Sequence, residues 1–352
     1  MENLEQLKNF WANKKVLVTG HSGFKGSWLI LLLDMLGAKI AGCSLKPNSK
    51  INFYDIIKND ININSKFIDI NNYKKLNSFV EDFKPSIIFH LAAQPIVNTS
   101  YDDPLSTYST NVMGLVHLFE SLKNNKNTKT IINITSDKCY YNNESKSYFK
   151  EDDKLCGTDP YSNSKSCAEL ITYSYFHSFF KHKNIGLASA RAGNVIGGGD
   201  WSKDRLVTDI MNSYFNNMKL QIRNPNSTRP WQHVIEVLYG YLILAEKMHK
   251  NHIKYSEGWN FAPSKANQIS VNQLIGLFNN HKKTKKINIY KSTKSESNYL
   301  FLDNTKTRKE LKWKNQWNIK KVISNTYSWY DAYYNNKNMT EYSQKLIRDY
   351  IS

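Results

Sequence analysis

The stretch that decides the fold is Val16–Leu29, VLVTGHSGFKGSWL. Its first residues are apolar or β-branched, as in a buried strand, and its last residues open the apolar run SWLILLLDMLG that ends at Gly37. Between them stand Gly20, Gly23 and Gly26 in a G-x-x-G-x-x-G spacing. Glycines permit a tight strand-to-helix turn with close backbone approach. The N–H groups that open the helix, at the positive end of its dipole, suit a pyrophosphate. A purely structural turn is the competing reading.

Outward from this turn the first half of the chain alternates short apolar runs with helical patterns. After KKVLVT and a helix from Phe24 to Leu36 come KIAGCS, KFIDI, a helix through YKKLNSFVEDF, and SIIFHLAA. A helix through STNVMGLVHLFESL, the strand KTIINIT, a helix from Tyr161 to Phe180 and IGLASAR complete the series. Nearly continuous apolar strands between helices predict an α/β fold: a Rossmann-type, doubly wound parallel sheet covered on both faces. Such sheets bind ligands at the carboxyl ends of their strands. After Arg191 the rhythm breaks into GNVIGGGDW, a helix near LVTDIMNSYF and shorter mixed segments. The expected organisation is a dinucleotide-binding domain over 1–195 with a returning segment near 233–262. A smaller mixed α/β C-terminal substrate domain takes 196–232 and 263–352.

At 352 residues the chain can bury a sizeable core without staples. Its four cysteines, Cys43, Cys139, Cys156 and Cys167, have neither disulfide-framework nor zinc-ligand spacing, which fits a reducing cytoplasm and predicts no metal site. The N-terminal MENLEQLKNFWANKK does not read as a secretory signal. The longest apolar run is broken by Asp34 and falls short of the roughly 20 residues a membrane span needs. Net charge is +18, but Lys and Arg are spread along the chain, densest in HKKTKK and KSTK of the last quarter. A generally basic surface, rather than a nucleic-acid or membrane partner, is the expectation.

Two further stretches carry chemistry. Tyr161 and Lys165 in DPYSNSK lie one helical turn apart, so both project from one helix face. An ammonium so placed is expected to lower the phenol's pKa from about 10 toward working pH, letting Tyr161 take a hydroxyl proton. Upstream, ITSDKCY places Ser136, Asp137 and Lys138 in succession at a strand end, where a bare surface ion pair is the bland alternative. At the end of the second strand an acidic residue would hold a ribose 2′-hydroxyl, but Ser44 and Lys46 stand there, leaving NAD against NADP open. Asp69, read at the end of the third strand, is placed either to accept from an adenine amine or to cap a loop.

VTGHSGFKGSWL, HLAAQPIVNTSY, TNVMGLVHL, NITSDKCY, DPYSNSKSCAEL, ARAGNVIGGGDW, RPWQHV and EGWNFAP together resemble the extended short-chain dehydrogenase/reductase family. More narrowly, they are similar to the CDP-glucose 4,6-dehydratases among the sugar-nucleotide dehydratases, from Trp11 to about Asp303. The resemblance implies a lyase in which tightly held NAD oxidises C4 of the hexose, water leaves across C5 and C6, and the hydrogen returns to C6. It implies Ser136, Tyr161 and Lys165 as the oxidation set, Asp137 as the acid for the departing hydroxyl, and a neutral Lys138 as the C5 base.

It further implies that Gly20, His21, Gly23, Phe24, Gly26, Ser44, Asp69, Ile70, Leu91, Ala92, Ala93, Thr110, Tyr161, Lys165 and Ala192 hold the cofactor. For the nucleotide sugar it implies Gln94, Asn194, Asp200, Trp201, Arg205, Arg223, Arg229, Trp231 and His233, whose amides, guanidiniums and rings suit phosphate, sugar and base. Taken singly, each tryptophan reads as core. Asn98, Tyr141 and Thr158 depart from the group's pattern. The helices bearing Tyr161 and NVMGLVHLFESL would form a homodimer interface.

Overall fold

The structure is a computed structural model that describes residues 4–144, 147–284, 287–289 and 299–352. Lys285, Lys286 and the KSTK cluster of the basic last quarter lie outside the described residues.

Seven parallel strands form the central sheet: β1 (Lys15–Thr19), β2 (Lys39–Ser44), β3 (Ile63–Phe67), β4 (Ile87–His90), β5 (Thr130–Ile134), β6 (Gly186–Ala192) and β7 (Gly258–Phe261). Their spatial order is β7-β6-β5-β4-β1-β2-β3. The register, for example Val16 opposite both Ile40 and Ile87, lines up the strand ends at one edge of the sheet. The chain runs outward from β1 to β3 and then crosses to β4, so the order reverses between β1 and β4. That reversal opens the crevice in which such sheets take ligands.

The apolar runs are continuous because both faces are covered. Val16 and Val18 face one core cluster with Phe89 and Ile132; Leu17, Ala41, Ile88 and Ile131 face the other. The first face is covered by α1 (Phe24–Met35), fully buried from Gly26 to Leu33. The second is covered by α2 (Tyr73–Phe83), α3 (Gly114–Lys123) and α4 (Pro160–Tyr175), through Leu76, Leu115, Leu118 and Ala168. Beyond β6 come α5 (Leu206–Phe215) and α6 (Val234–Lys250), the latter packing on α1 and β5 before the chain returns to the sheet as β7. Short strands pair outside the sheet, Thr228–Pro230 with Gln268–Ser270 among them. Near the C-terminus α7 (Ile319–Tyr334) brings Trp329 against Gly198, where an added Cβ would lie 2.0 Å from the indole.

Two expected boundaries shift. The third strand runs Ile63–Phe67 rather than through KFIDI, so Asp69 lies in the following turn, where its Oδ1 accepts the Asn71 N–H at 2.9 Å. This is the loop-capping arrangement. The STNVM part of the expected helix is a separate wide turn, Ser109–Met113, ahead of α3.

Candidate active site

The glycine turn is built by close contact. Gly20 has φ +72°, and a Cβ on it would lie 2.7 Å from the Ala92 nitrogen; one on Gly26 would lie 2.1 Å from the Gly20 carbonyl. The first turn of α1 therefore sits hard against the end of β1. Its N-cap, Gly23, offers no side-chain acceptor to the orphan N–H groups, and the turn carries no acidic residue. An uncapped helix N-terminus opening on a crevice has the donor set a dinucleotide pyrophosphate requires.

At the end of β5 the chain makes one tight turn, Asp137–Cys139. Ser136 starts it: its Oγ accepts the Lys138 N–H at 3.3 Å and donates to Asp137 Oδ1 at 2.9 Å. Asp137 is only 4% exposed, and its Oδ2 has no hydrogen-bond partner among the described residues. Burial pushes this carboxyl above the ordinary Asp value, opposed by the Lys138 charge, the Ser136 hydroxyl, Arg229 and Lys25. The end of β6 closes on it, since a Cβ on Gly193 would stand 2.9 Å from that Oδ2.

Facing this turn, α4 starts at Asp159, whose side chain accepts the Ser162 N–H at 2.9 Å, followed by Pro160, whose fixed φ suits a first helical residue. Tyr161 and Lys165 follow on one buried face. The Lys165 ammonium donates to the Ile134 carbonyl at 3.4 Å, and burial lowers it to about 8 against Glu169 and Cys139. The expected drop of the Tyr161 phenol is corrected: burial raises it to about 12, with Ser136 and Arg205 pulling down and Asp137 and Asp159 pushing up. The Lys165 ammonium is held at the strand end by the Ile134 carbonyl and favoured by the Glu169 charge.

Behind both elements lies a buried ion pair. Arg191 Nε and Nη2 meet Glu169 Oε1 and Oε2 at 2.9 and 2.8 Å, and the Thr135 hydroxyl also donates to Glu169. The pair ties β6, α4 and the residue before Ser136 together.

A cleft of about 760 Å³ joins the glycine turn to these groups. Ser136, Asp137, Lys138, Tyr161 and Lys165 line it, as do Gly20, Gly23, Phe24, Gly26, Ser44, Asp69, Ile70, Leu91, Ala92, Ala93, Thr110 and Ala192. Asn194, Asp200, Trp201, Arg205, Arg223, Arg229, Trp231 and Asn98 line it as well. Arg205 precedes α5, and its Nε is buried with no partner among the described residues. Trp231, 3% exposed with its N–H on the Ile269 carbonyl at 3.1 Å, is as much core as lining.

Three expected residues are not brought to the cleft. His21 is buried against Gly42 and shares a 2.7 Å hydrogen bond with the Ser65 hydroxyl, because the glycine turn directs it back over β2 and β3. Gln94 folds into its own loop, donating to Thr107 Oγ1 at 2.9 Å and accepting the Ile96 N–H at 2.6 Å. His233 is fully buried between Trp28 and Trp317 and caps α6, its Nδ1 accepting the Ile235 N–H at 3.3 Å. Conversely, Lys25, Asn48 and Ser49 line the cleft without having been singled out in the sequence. A lysine between Phe24 and Gly26, inside an otherwise apolar helix start, was the available signal.

A family model described as GDP-mannose 4,6 dehydratase matches residues 17–326. The CDP-glucose 4,6-dehydratase of Salmonella typhimurium is 43% identical to this chain over 98% of both chains. The dTDP-D-glucose 4,6-dehydratase of Dictyostelium discoideum is 27% identical over 66% of this chain and 56% of that protein. Among solved structures, an epimerase from Methanothermobacter thermautotrophicus superposes with a TM-score of 0.81 at 22% identity, covering 98% of this chain and 97% of that one. A dTDP-glucose 4,6-dehydratase from Bacillus anthracis, solved with NAD, gives 0.76 at 20% identity, covering 93% and 99%.

Proposed function

The chain belongs to the GDP-mannose 4,6-dehydratase family, and from that premise we infer an NAD-dependent hydro-lyase that converts CDP-glucose to CDP-4-dehydro-6-deoxyglucose and water. The observation that carries the reading is Asp137: a buried carboxyl with one unpartnered oxygen, in the same cleft as Tyr161 and Lys165. C4 oxidation alone uses a serine, a tyrosine and a lysine. Loss of water also requires an acid at C6 and a base at C5.

The glycine turn and the uncapped start of α1 would hold the pyrophosphate of NAD, with Ser44 and Asp69 toward the adenosine. When bound there, NAD would supply the hydride acceptor for C4 and the hydride donor for C6. Tyr161 takes the O4 proton, the Ser136 hydroxyl and the Arg205 guanidinium favouring its phenolate against the burial that raises its pKa. The 4-keto group then acidifies C5–H, which Lys138 removes from its half-buried place beside the acid. Asp137, its proton retained by burial, delivers it to the departing C6 hydroxyl, leaving C5 and C6 joined by a double bond, and Lys138 gives its proton back to C5 as the hydrogen is returned to C6. Arg205, Arg223 and Arg229 supply cations for the diphosphate, with Asn194, Asp200, Trp201 and Trp231 around the nucleotide and sugar.

The same reading assigns 1–195, with the returning 233–262, to cofactor binding, and 196–232 with 263–352 to the nucleotide sugar. It makes the active form at least a homodimer through the helices bearing Tyr161 and NVMGLVHLFESL, along which Met113, Leu170 and Tyr173 are 47, 57 and 68% exposed. Four free cysteines and the lack of a spanning helix among the described residues are compatible with work in the cytoplasm, feeding deoxysugars to a bacterial surface polysaccharide such as O-antigen lipopolysaccharide.

Purified protein given each NDP-glucose in turn, without added cofactor, tests the assignment by the alkali-induced absorbance of a 4-keto-6-deoxysugar. CDP-glucose is expected to give the signal most efficiently. A 4-epimer in its place, or no product from any nucleotide, would overturn the assignment.

A further inference from the structure

Given the reading of Asp200 and Trp201 as surroundings of the nucleotide and sugar, we propose that Tyr330 is a positioning residue for the sugar-nucleotide side of the cleft. From the C-terminal helix α7 its hydroxyl holds the Asp200 backbone and so sets Trp201, whose indole N–H is a hydrogen-bond donor to the bound sugar nucleotide.

Asp200 follows Gly197, Gly198 and Gly199, a run whose backbone would otherwise sample many conformations. Packing removes that freedom. The Trp28 Nε1 donates to the Gly198 carbonyl at 2.8 Å, a Cβ on Gly198 would lie 2.0 Å from the Trp329 indole, and one on Gly199, at φ +84°, 2.9 Å from Phe53. Where the glycines end, Tyr330 takes over. Its hydroxyl accepts the Asp200 N–H at 3.1 Å and donates to the Asp200 carbonyl at 2.6 Å, so one oxygen ties both backbone polar groups of the residue before Trp201. Thr208 also reaches that carbonyl, at 3.0 Å, but among the described residues the N–H has Tyr330 alone. Tyr330 is 1% exposed, and burial, with the Asp200 charge, raises its phenol well above the ordinary value, so the hydroxyl stays a donor.

The same helix seats the indole. Trp201 meets the rings of Trp329, Tyr330 and Tyr333 edge-on, with centroids 5.7, 5.7 and 5.0 Å away. That platform is braced in turn, since Trp329 donates to the Ser343 hydroxyl of α8 (Met339–Ile351) at 2.8 Å. Trp201 lines the cleft, and its Nε1 is buried with no partner among the described residues. A buried indole N–H ordinarily finds an acceptor, and a hydroxyl or carbonyl of an entering sugar nucleotide supplies one here. The hydroxyl of Tyr330 itself bonds to Asp200, not to the glycine turn or to the groups around Ser136 and Tyr161. Its influence therefore falls on the hold of the ligand rather than on the reacting groups.

The test is steady-state kinetics with CDP-glucose on the full-length protein and its Tyr330→Phe and Trp201→Phe variants, with NAD+ affinity followed by calorimetry. Tyr330→Phe keeps the ring and removes only the hydroxyl. Its KM is expected to rise roughly five- to fiftyfold, the worth of one or two neutral hydrogen bonds, with kcat and NAD+ affinity within about threefold of the parent's. Trp201→Phe should raise KM over the same range, and adding Tyr330→Phe to it should change KM little further, because both act through one indole. A lowered thermal midpoint and kcat with KM unmoved, the mark of a purely structural tyrosine, would overturn the assignment. So would effects on KM that multiply in the double variant. Should Tyr330→Phe fail to fold, Trp201→Phe decides, and a KM within about twofold of the parent's overturns the role given to its N–H. Should the parent turn over another NDP-glucose and not CDP-glucose, the CDP reading falls, while the same KM shift with that substrate upholds Tyr330.

Discussion

Asp137 has one carboxylate oxygen on the Ser136 hydroxyl at 2.9 Å and the other buried without a partner among the described residues. Desolvation therefore favours the protonated form, and an unpaired acid oxygen beside the proposed sugar position is suited to proton delivery. Asn is nearly the same shape but carries no transferable acid proton. Asp137→Asn is expected to slow water loss roughly 10²- to 10⁴-fold, the usual share of a general acid, while C4 oxidation persists. Rapid-mixing absorbance should then show reduced nicotinamide accumulating on addition of CDP-glucose. Equal loss of oxidation and elimination would remove the role proposed for this carboxyl. Tyr161 teaches the complementary lesson. Helical spacing places it beside Lys165, but burial outweighs proximity, and the groups that pull its pKa down are Ser136 and Arg205.

The elements that carry these residues are joined by Glu169 and Arg191, one from α4 and one from β6, in a two-pronged buried pair at 2.9 and 2.8 Å. Arg191 also donates to the Tyr140 hydroxyl at 2.6 Å and the Glu151 carbonyl at 2.7 Å. Glu169→Ala leaves a buried guanidinium unmatched and should destabilise the protein by about 3–5 kcal/mol in denaturant titration. A loss below about 1 kcal/mol, typical of exposed pairs, would contradict the clamp. At this scale the sequence was legible wherever one local rule dominated. The central strands have apolar positions on both faces, and α5 was placed at Leu206–Phe215 as found. The third strand was misplaced because β3 is the edge of the sheet and carries Asn64, Ser65 and Lys66, while the more apolar Phe67–Ile70 belongs largely to the turn beyond it. His21, Gln94 and His233 were unreadable for another reason. Ser65, Thr107 and Trp317, which hold them, are brought close by tertiary packing that no local spacing records.

Across the whole molecule, the reversal of strand order between β1 and β4 gathers the glycine turn, the Ser136 turn and the Tyr161 helix at one end of the sheet. The segment after β6 brings Arg205, Arg223 and Arg229 to the lining of the same cleft. The net charge of +18 is diffuse along the chain, and within this cleft Lys25 stands close enough to Arg205 and Lys165 for both to disfavour its charge. The central claim is that one cleft removes a hydrogen from C4, expels water and gives that same hydrogen back at C6. CDP-glucose deuterated at C4, incubated with the purified protein and read by NMR and mass spectrometry, tests it most directly. The account predicts a 4-keto-6-deoxy product with the deuterium on C6 of the molecule that lost it; deuterium washed into solvent, or retained at C4 of an inverted sugar, would contradict it.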